Sequence, residues 1–291
     1  MIIDCHAHIG KDVFGERKNI LNFNGTPQKQ GIEEFLAKMS KLGVDKAIVF
    51  PFPSPLKQFE EDDFWYHKEN EYLIKFVEEY KQQLYFIPAF NPADRRSIDY
   101  SIELVEQYNL KGLKIHTRPI KYDPRRLSLF ILDFLKKKDL PLVLHIGSGK
   151  EPELAERSVD ISLDSAIYLA KNYPHNRFVF AHLGRLHKNL EDALRLENVM
   201  VDTSGLSVKR LWKDSSAKNY DETLVSKSAE EIISILVERG YSNKIMWGSD
   251  EPYGASYNEE LQYVKDNKAL NEHVKKRILN ENAIKWFKLW D

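Results

Sequence analysis

Short apolar runs alternate with helical patterns along the whole chain. Eight runs rich in β-branched and aromatic residues read as buried parallel strands: Ile2 to His8, Lys46 to Phe50, Leu84 to Phe90, Gly112 to His116, Leu140 to Ile146, Arg177 to His182, Val199 to Thr203 and Ile245 to Asp250. Between them, apolar residues recur at i, i+3, i+4, i+7 and i+8, the stripe of an amphipathic helix. Leu127, Phe130, Ile131, Phe134 and Leu135 fit this template, as do Ala229, Ile232, Ile233, Leu236 and Val237, with a shorter match at Ile32, Phe35, Leu36 and Met39. A last helix carrying Leu279, Ala283, Phe287 and Trp290 is expected to close an outer ring. Strict strand–helix alternation over eight units predicts a parallel sheet closed into a (β/α)8 TIM barrel, spanning residues 1–291 as one domain.

Two connections are long and polar: Ile9 to Gln30, an extended first βα loop, and Leu206 to Ser226 after the seventh strand. Both follow strands, which places them on the face where barrels carry their active sites. Phe14, Phe23, Trp212 and Tyr220 favour binding loops or lids over flexible tracts.

Charge narrows the partners. Forty-three Lys and Arg against 44 Asp and Glu leave a formal charge of -1, so no global field draws the chain to nucleic acid or to an anionic membrane. No basic segment followed by an apolar one opens the sequence, and no apolar run is long enough to span a bilayer, so a cytoplasmic location is expected. The lone cysteine, Cys5, excludes an intrachain disulfide and a Cys-based zinc site; any metal must be held by His and carboxylate. A homodimer is the oligomer to expect, since two-fold dimers are the commonest assemblies.

His6 and His8 lie two apart at the end of the first strand, so the period of two turns both imidazoles to one face. Such a pair alone is usually packing. His145, His182 and Asp250, however, end the fifth, sixth and eighth strands, each after an apolar run. Five polar groups converging on one end of a barrel would cost on the order of several kcal/mol if left unpaired. A bound cation removes that cost, and imidazole with carboxylate suits zinc, though iron, manganese, nickel and cobalt accept similar sets.

The chain resembles the amidohydrolase superfamily, and more closely its amidohydrolase-related branch that includes aminocarboxymuconate-semialdehyde decarboxylase. The residues that carry the resemblance are Ile3-Asp4-Cys5-His6-Ala7-His8, Gly112-Leu113-Lys114-Ile115-His116, His182-Leu183-Gly184, Asp202-Thr203-Ser204-Gly205, Gly248-Ser249-Asp250 and Ile278-Leu279-Asn280-Glu281-Asn282-Ala283. The resemblance implies one divalent metal ion, Zn2+ by preference, on His6, His8, His145 and Asp250, with His182 as a catalytic group beside the substrate. An open position on zinc lowers the pKa of bound water from ~15.7 to about 7. Asp250 would then act as general base while His182 stabilises an oxyanion.

Lys114 shares the inward face of the fourth strand with His116. In binuclear relatives a lysine there is carboxylated and bridges two metals; the decarboxylase-like branch implies a substrate-binding role instead. Arg118, Lys150 and Arg185 follow strands and form a basic rim that suits a small anionic substrate, most simply a carboxylate. Lys114, His116, Arg118 and Arg185 are thus the substrate-side candidates, and Asp4 is expected to point inward below the metal. His67, His175, His187 and His273 are expected at the surface. The leading expectation is a hydrolase of a C–N or lactone C–O bond in a small carboxylate-bearing molecule. Its alternatives are a nonoxidative decarboxylase on the same site and an inactive barrel kept for binding.

Overall fold

The computed structural model describes residues 1–9, 31–52, 65–116, 122–147, 161–208, 219–254 and 256–290. Among them are eight strands: β1 Ile3–His8, β2 Lys46–Phe50, β3 Leu84–Phe86, β4 Leu113–Ile115, β5 Pro141–Leu144, β6 Arg177–Phe180, β7 Val199–Asp202 and β8 Ile245–Met246. All neighbouring pairs run parallel, so each strand needs a crossover, and helices supply it. The result is the expected α/β barrel. Its ladder is interrupted at two seams, leaving a three-stranded sheet β1-β2-β3 and a five-stranded sheet β4-β5-β6-β7-β8.

Backbone hydrogen bonds cross both seams. At the first, Lys114 N donates to Pro88 O at 3.0 Å and Phe90 N to Lys114 O at 3.2 Å. At the second, Cys5 N donates to Trp247 O at 3.0 Å, His8 N to Glu251 O at 2.7 Å and Asp250 N to His6 O at 2.8 Å. That second seam joins the strand of His6 and His8 to the one leading into Asp250.

Two apolar layers follow from strand alternation. Ala47, Val49, Leu142, Leu144, Phe178, Phe180, Val199 and Val201 pack outward under the helices. Ile48, Phe50, Ile87, Val143, Val179, Met200 and Met246 fill the barrel with Ile3 and Cys5. Ala283, Phe287 and Leu289 join this inner cluster. The last helix, Asn282–Phe287, therefore packs against the barrel interior rather than completing an outer ring, and Trp290 is exposed.

The helices begin and end where local chemistry dictates. Helix Ala229–Glu238 opens on a capping box, Ser228 with Glu231, and buries Ala229, Ile232, Ile233 and Leu236. Helix Ile32–Leu42 buries Ile32, Phe35 and Met39 and stops at Gly43 in the left-handed region. Helix Leu129–Lys138 departs from expectation: it buries Ile131, Leu132 and Leu135 but exposes Phe130, whose ring lies 4.1 Å under the Arg95 guanidinium. Among the described residues no helix is long and apolar enough to cross a membrane. The expectations for residues 10–30 and 209–218, with Phe14, Phe23 and Trp212, lie outside the described residues, as do Arg118 and Lys150.

Candidate metal centre

A register shift in β1 shapes the site. Asp4 pairs with Ala47 of β2, but Ala7 pairs with Val49, so one extra residue is taken up between them. Such a bulge re-aims side chains. Cys5 joins the inner cluster, and the next residue, His6, also turns inward onto Phe50, at 4.9 Å between ring centroids. Asp4 is placed beside Ala47 on the helix side, not inward below the metal as the alternation predicts. It accepts from His6 N at 3.0 Å, from Ser249 N at 3.0 Å and from Ser249 Oγ at 2.6 Å, tying β1 to the segment after β8. Gly248 makes the bulge possible, because a Cβ there would stand 2.7 Å from His6 Cβ.

Both histidines are buried and held by one ring nitrogen. His6 Nδ1 lies 2.9 Å from Asp202 Oδ2, and His8 Nδ1 lies 2.8 Å from Pro51 O. Since these partners only accept, each Nδ1 carries the proton and each Nε2 is left with a bare lone pair. The two Nε2 atoms face each other at 3.3 Å, and Asp250 Oδ1 stands 3.6 Å from one and 3.7 Å from the other. The ligand atoms of His6, His8 and Asp250 all fall within 4.8 Å of one another. Bonds of ~2.0–2.2 Å in a tetrahedral set separate donors by about 3.4 Å, so this triangle fits a divalent ion such as zinc. Three buried acceptors facing one another also need a cation between them. Here Lys114 Nζ meets them, 2.8 Å from His6 Nε2 and 3.4 Å from His8 Nε2, and 3.8 Å from the centre of the Phe50 ring.

His182 is placed by an unusual backbone. Residues His182, Leu183, Gly184, Arg185 and Leu186 all have φ between 48° and 60°, a left-handed turn that costs roughly 1–2 kcal/mol per non-glycine residue. Full burial of Leu183 and Leu186 holds it. The turn brings His182 Nδ1 within 3.0 Å of both Ser204 O and Ser204 Oγ and 3.8 Å from Asp250 Oδ2. Gly205, with φ 69°, lies against both groups, and a Cβ there would meet Asp250 Oδ2 at 3.1 Å. Arg185 Nε donates to Ile146 O at 3.0 Å, and its charge acts on His6, His145, His182 and Asp250.

His145 stands outside the triangle. Its Nδ1 lies 2.9 Å from His182 Nε2, and its ring stacks on His116 at 3.9 Å. The structure thus gathers His6, His8, Asp250, Lys114, His182, His145, His116 and Arg185 at one end of the barrel, while bringing three of the four expected ligands into a single ligating group. His187, expected at the surface, is instead largely buried where its segment pairs with Tyr220. Two residues given no role from sequence, Asp202 and Ser204, prove central to the contacts. Their only signals were a place in the Asp-Thr-Ser-Gly motif and, for Asp202, the inward parity shared with Met200.

Burial dominates the electrostatics. It holds the imidazoles of His6, His8, His145 and His182 well below the usual histidine range, with Lys114 pushing the first two further down. They are therefore neutral, as ligation requires. Burial also lowers Lys114 and raises Asp250, each partly opposed by the charge of the other.

A parallel α/β barrel with two histidines and an aspartate converging at the carboxyl ends of its first and eighth strands has the layout of a metal-dependent barrel enzyme. Residues 3–289 match the model of the amidohydrolase family, and the chain belongs to that family. No curated protein matches it in sequence. Among solved structures it is similar to 5-carboxyvanillate decarboxylase from Novosphingobium aromaticivorans complexed with manganese, at 18% identity, TM-score 0.70, and 99% and 96% coverage of the two chains. It is also similar to 2,6-dihydroxybenzoate decarboxylase from Rhizobium, at 15% identity, TM-score 0.66, and 99% and 98% coverage. A third similar structure is a probable 2-pyrone-4,6-dicarboxylic acid hydrolase from Acinetobacter baumannii, at 15% identity, TM-score 0.66, and 99% coverage of both. At these identities the likeness establishes the fold. The expectation of a hydrolase is corrected here: decarboxylases recur among these neighbours, and they back the decarboxylase alternative better.

Proposed function

We propose that the protein is a nonoxidative decarboxylase of a small carboxylate, working with one divalent ion held by His6, His8 and Asp250. The observation that carries this reading is the buried His-His-Asp triangle at the mouth of a barrel whose solved neighbours include two kinds of decarboxylase. His145, the fourth ligand implied by resemblance, stands beside the triangle with its Nδ1 on His182. Zinc suits the donor set, and the manganese in one neighbour makes that ion the second to test. When bound, the ion supplies Lewis acidity that neutralises anionic oxygens of the substrate.

The chain's own residues do the rest. Arg185, Lys114 and His116 orient the substrate carboxylate, with Arg118 as a further candidate from the sequence. Asp250 would hold the ion through Oδ1, which leaves Oδ2, 3.8 Å from His182 Nδ1, to take a proton from solvent and deliver it to the carbon that loses the carboxylate. The carbon–carbon bond breaks, carbon dioxide leaves, and the electron pair left on carbon takes up that proton; Asp250 regains one from solvent. His182, fixed by Ser204, stands beside the acid, with its Nδ1 3.8 Å from Asp250 Oδ2.

The test begins with chelator-treated protein reloaded with zinc or manganese and offered 5-carboxyvanillate and 2,6-dihydroxybenzoate, the substrates named for the neighbours. The expected outcome is metal-dependent release of carbon dioxide. Turnover that survives complete removal of metal would contradict the reading.

A further inference from the structure

We infer that Asp202, with Ser204, is a positioning residue that fixes the tautomer and ring orientation of both His6 and His182. This rests on the metal-site reading for the meaning of His6, but its geometry stands apart from it. Asp202 ends β7 and is 1% exposed, so water does not satisfy its carboxylate. Each oxygen has separate work. Oδ2 faces His6 Nδ1 at 2.9 Å. Oδ1 accepts from His182 N at 3.0 Å, from Ser204 N at 3.1 Å and from the Ser204 hydroxyl.

The proton inventory leaves little choice. The carboxylate only accepts, so His6 must give it the Nδ1 proton, which leaves Nε2 bare toward His8 and Asp250. The Ser204 hydroxyl has one proton and gives it to Asp202 Oδ1; its oxygen, like Ser204 O, then accepts from His182 Nδ1. His182 is thereby also an Nδ1–H tautomer, with Nε2 accepting from His145 Nδ1 at 2.9 Å. A purely structural carboxylate would cap the backbone amides of His182 and Ser204 and leave the rings alone. Here one oxygen is spent wholly on a ring.

The variant Asp202→Asn separates these views. Its amide oxygen can replace Oδ1 toward the two backbone donors, which puts the amide NH2 toward His6. A donor there draws the lone pair of Nδ1 and moves the His6 proton to Nε2, the atom needed for ligation. Two measurements decide. In zinc-free wild-type protein, 1H–15N correlation of the histidine rings should show both His6 and His182 as Nδ1–H tautomers; an Nε2–H tautomer at either overturns the proposal without any variant. In competition titrations with a chromophoric chelator, Asp202→Asn should bind zinc on the order of 10–100-fold more weakly, with His6 now Nε2–H. Wild-type zinc affinity in Asp202→Asn, with His6 still Nδ1–H, would likewise overturn it. Failure of the wild-type protein to bind zinc at all is a different result: it removes the metal reading, and the ring tautomers still judge the positioning role.

Discussion

Burial pushes the charged groups around His6 and His8 in opposite directions, lowering Lys114 and raising Asp250, and it acts again on Asp4 behind them. Asp4 is lifted from 3.8 to about 7 by burial, against the pull of its bonds from Ser249 and His6. The folded state thus keeps this proton where the unfolded chain has lost it, so the stabilisation is present at low pH and is lost as pH rises from about 4 to 7. Urea unfolding at pH 5 and pH 7 should therefore show a steeper loss of stability in wild type than in Asp4→Asn, by up to about 1.4 kcal/mol per pH unit. Parallel slopes would mean that Asp4 is ionised throughout. A second contrast concerns roles: His8→Ala removes a nitrogen ligand and should lose bound metal, whereas His182→Asn should retain most of it while kcat falls by a factor on the order of 10². Elemental analysis beside kinetics reads both arms, and equal metal loss in the two would make His182 a ligand. At this scale the sequence reveals residue types better than directions. His6, His8 and Asp250 could be placed by strand position, but the bulge that turns Asp4 to the other face leaves no mark in the hydrophobic pattern.

Strands were the most legible elements, because burial on both faces makes each one a continuous apolar run, and all eight expected runs contain an observed strand. Helix faces were less so. Phe130 fits the helical stripe by spacing, yet lies exposed beneath Arg95, since a cation over an aromatic face makes such exposure tolerable. The last helix is apolar as its spacing predicts, yet it covers the inner cluster and not the outer ring, because periodicity says that a face is covered and not what covers it. This location predicts a separation of functions. Phe287→Ala, which opens space against the inner cluster on the segment farthest in sequence from β1, should destabilise by roughly 3–5 kcal/mol with unchanged metal stoichiometry below the unfolding transition. Gly248→Ala should do the reverse. A Cβ 2.7 Å from His6 Cβ must push β1 from the segment after β8, so metal affinity should fall along with a stability loss on the order of 1–3 kcal/mol. Calorimetry with metal titration distinguishes the two, and an unperturbed site in Gly248→Ala would show that the seam has slack.

On the scale of the whole molecule, the barrel is held as two sheets, and one of its seams is also where the candidate metal ligands meet. Closure at β1 and β8 and assembly of the triangle are thus one event, which is why residues separated by most of the chain can act together. The family was legible in the motifs that resemble it, from Ile3–His8 to Gly248-Ser249-Asp250, and the candidate ligands in their places at strand ends. The reaction was not: a hydrolase and a decarboxylase use the same ligands, and what separates them lies with the substrate and the loops around it. The most direct test of the account is therefore isotopic. Metal-loaded protein should be incubated in 18O-water with carboxyl-13C substrates, beginning with 5-carboxyvanillate and 2,6-dihydroxybenzoate, and the products resolved by mass spectrometry. The account predicts that the 13C label leaves as carbon dioxide and that the organic product is one carbon shorter and free of 18O. An organic product that retains the 13C label and has gained 18O from water would contradict it.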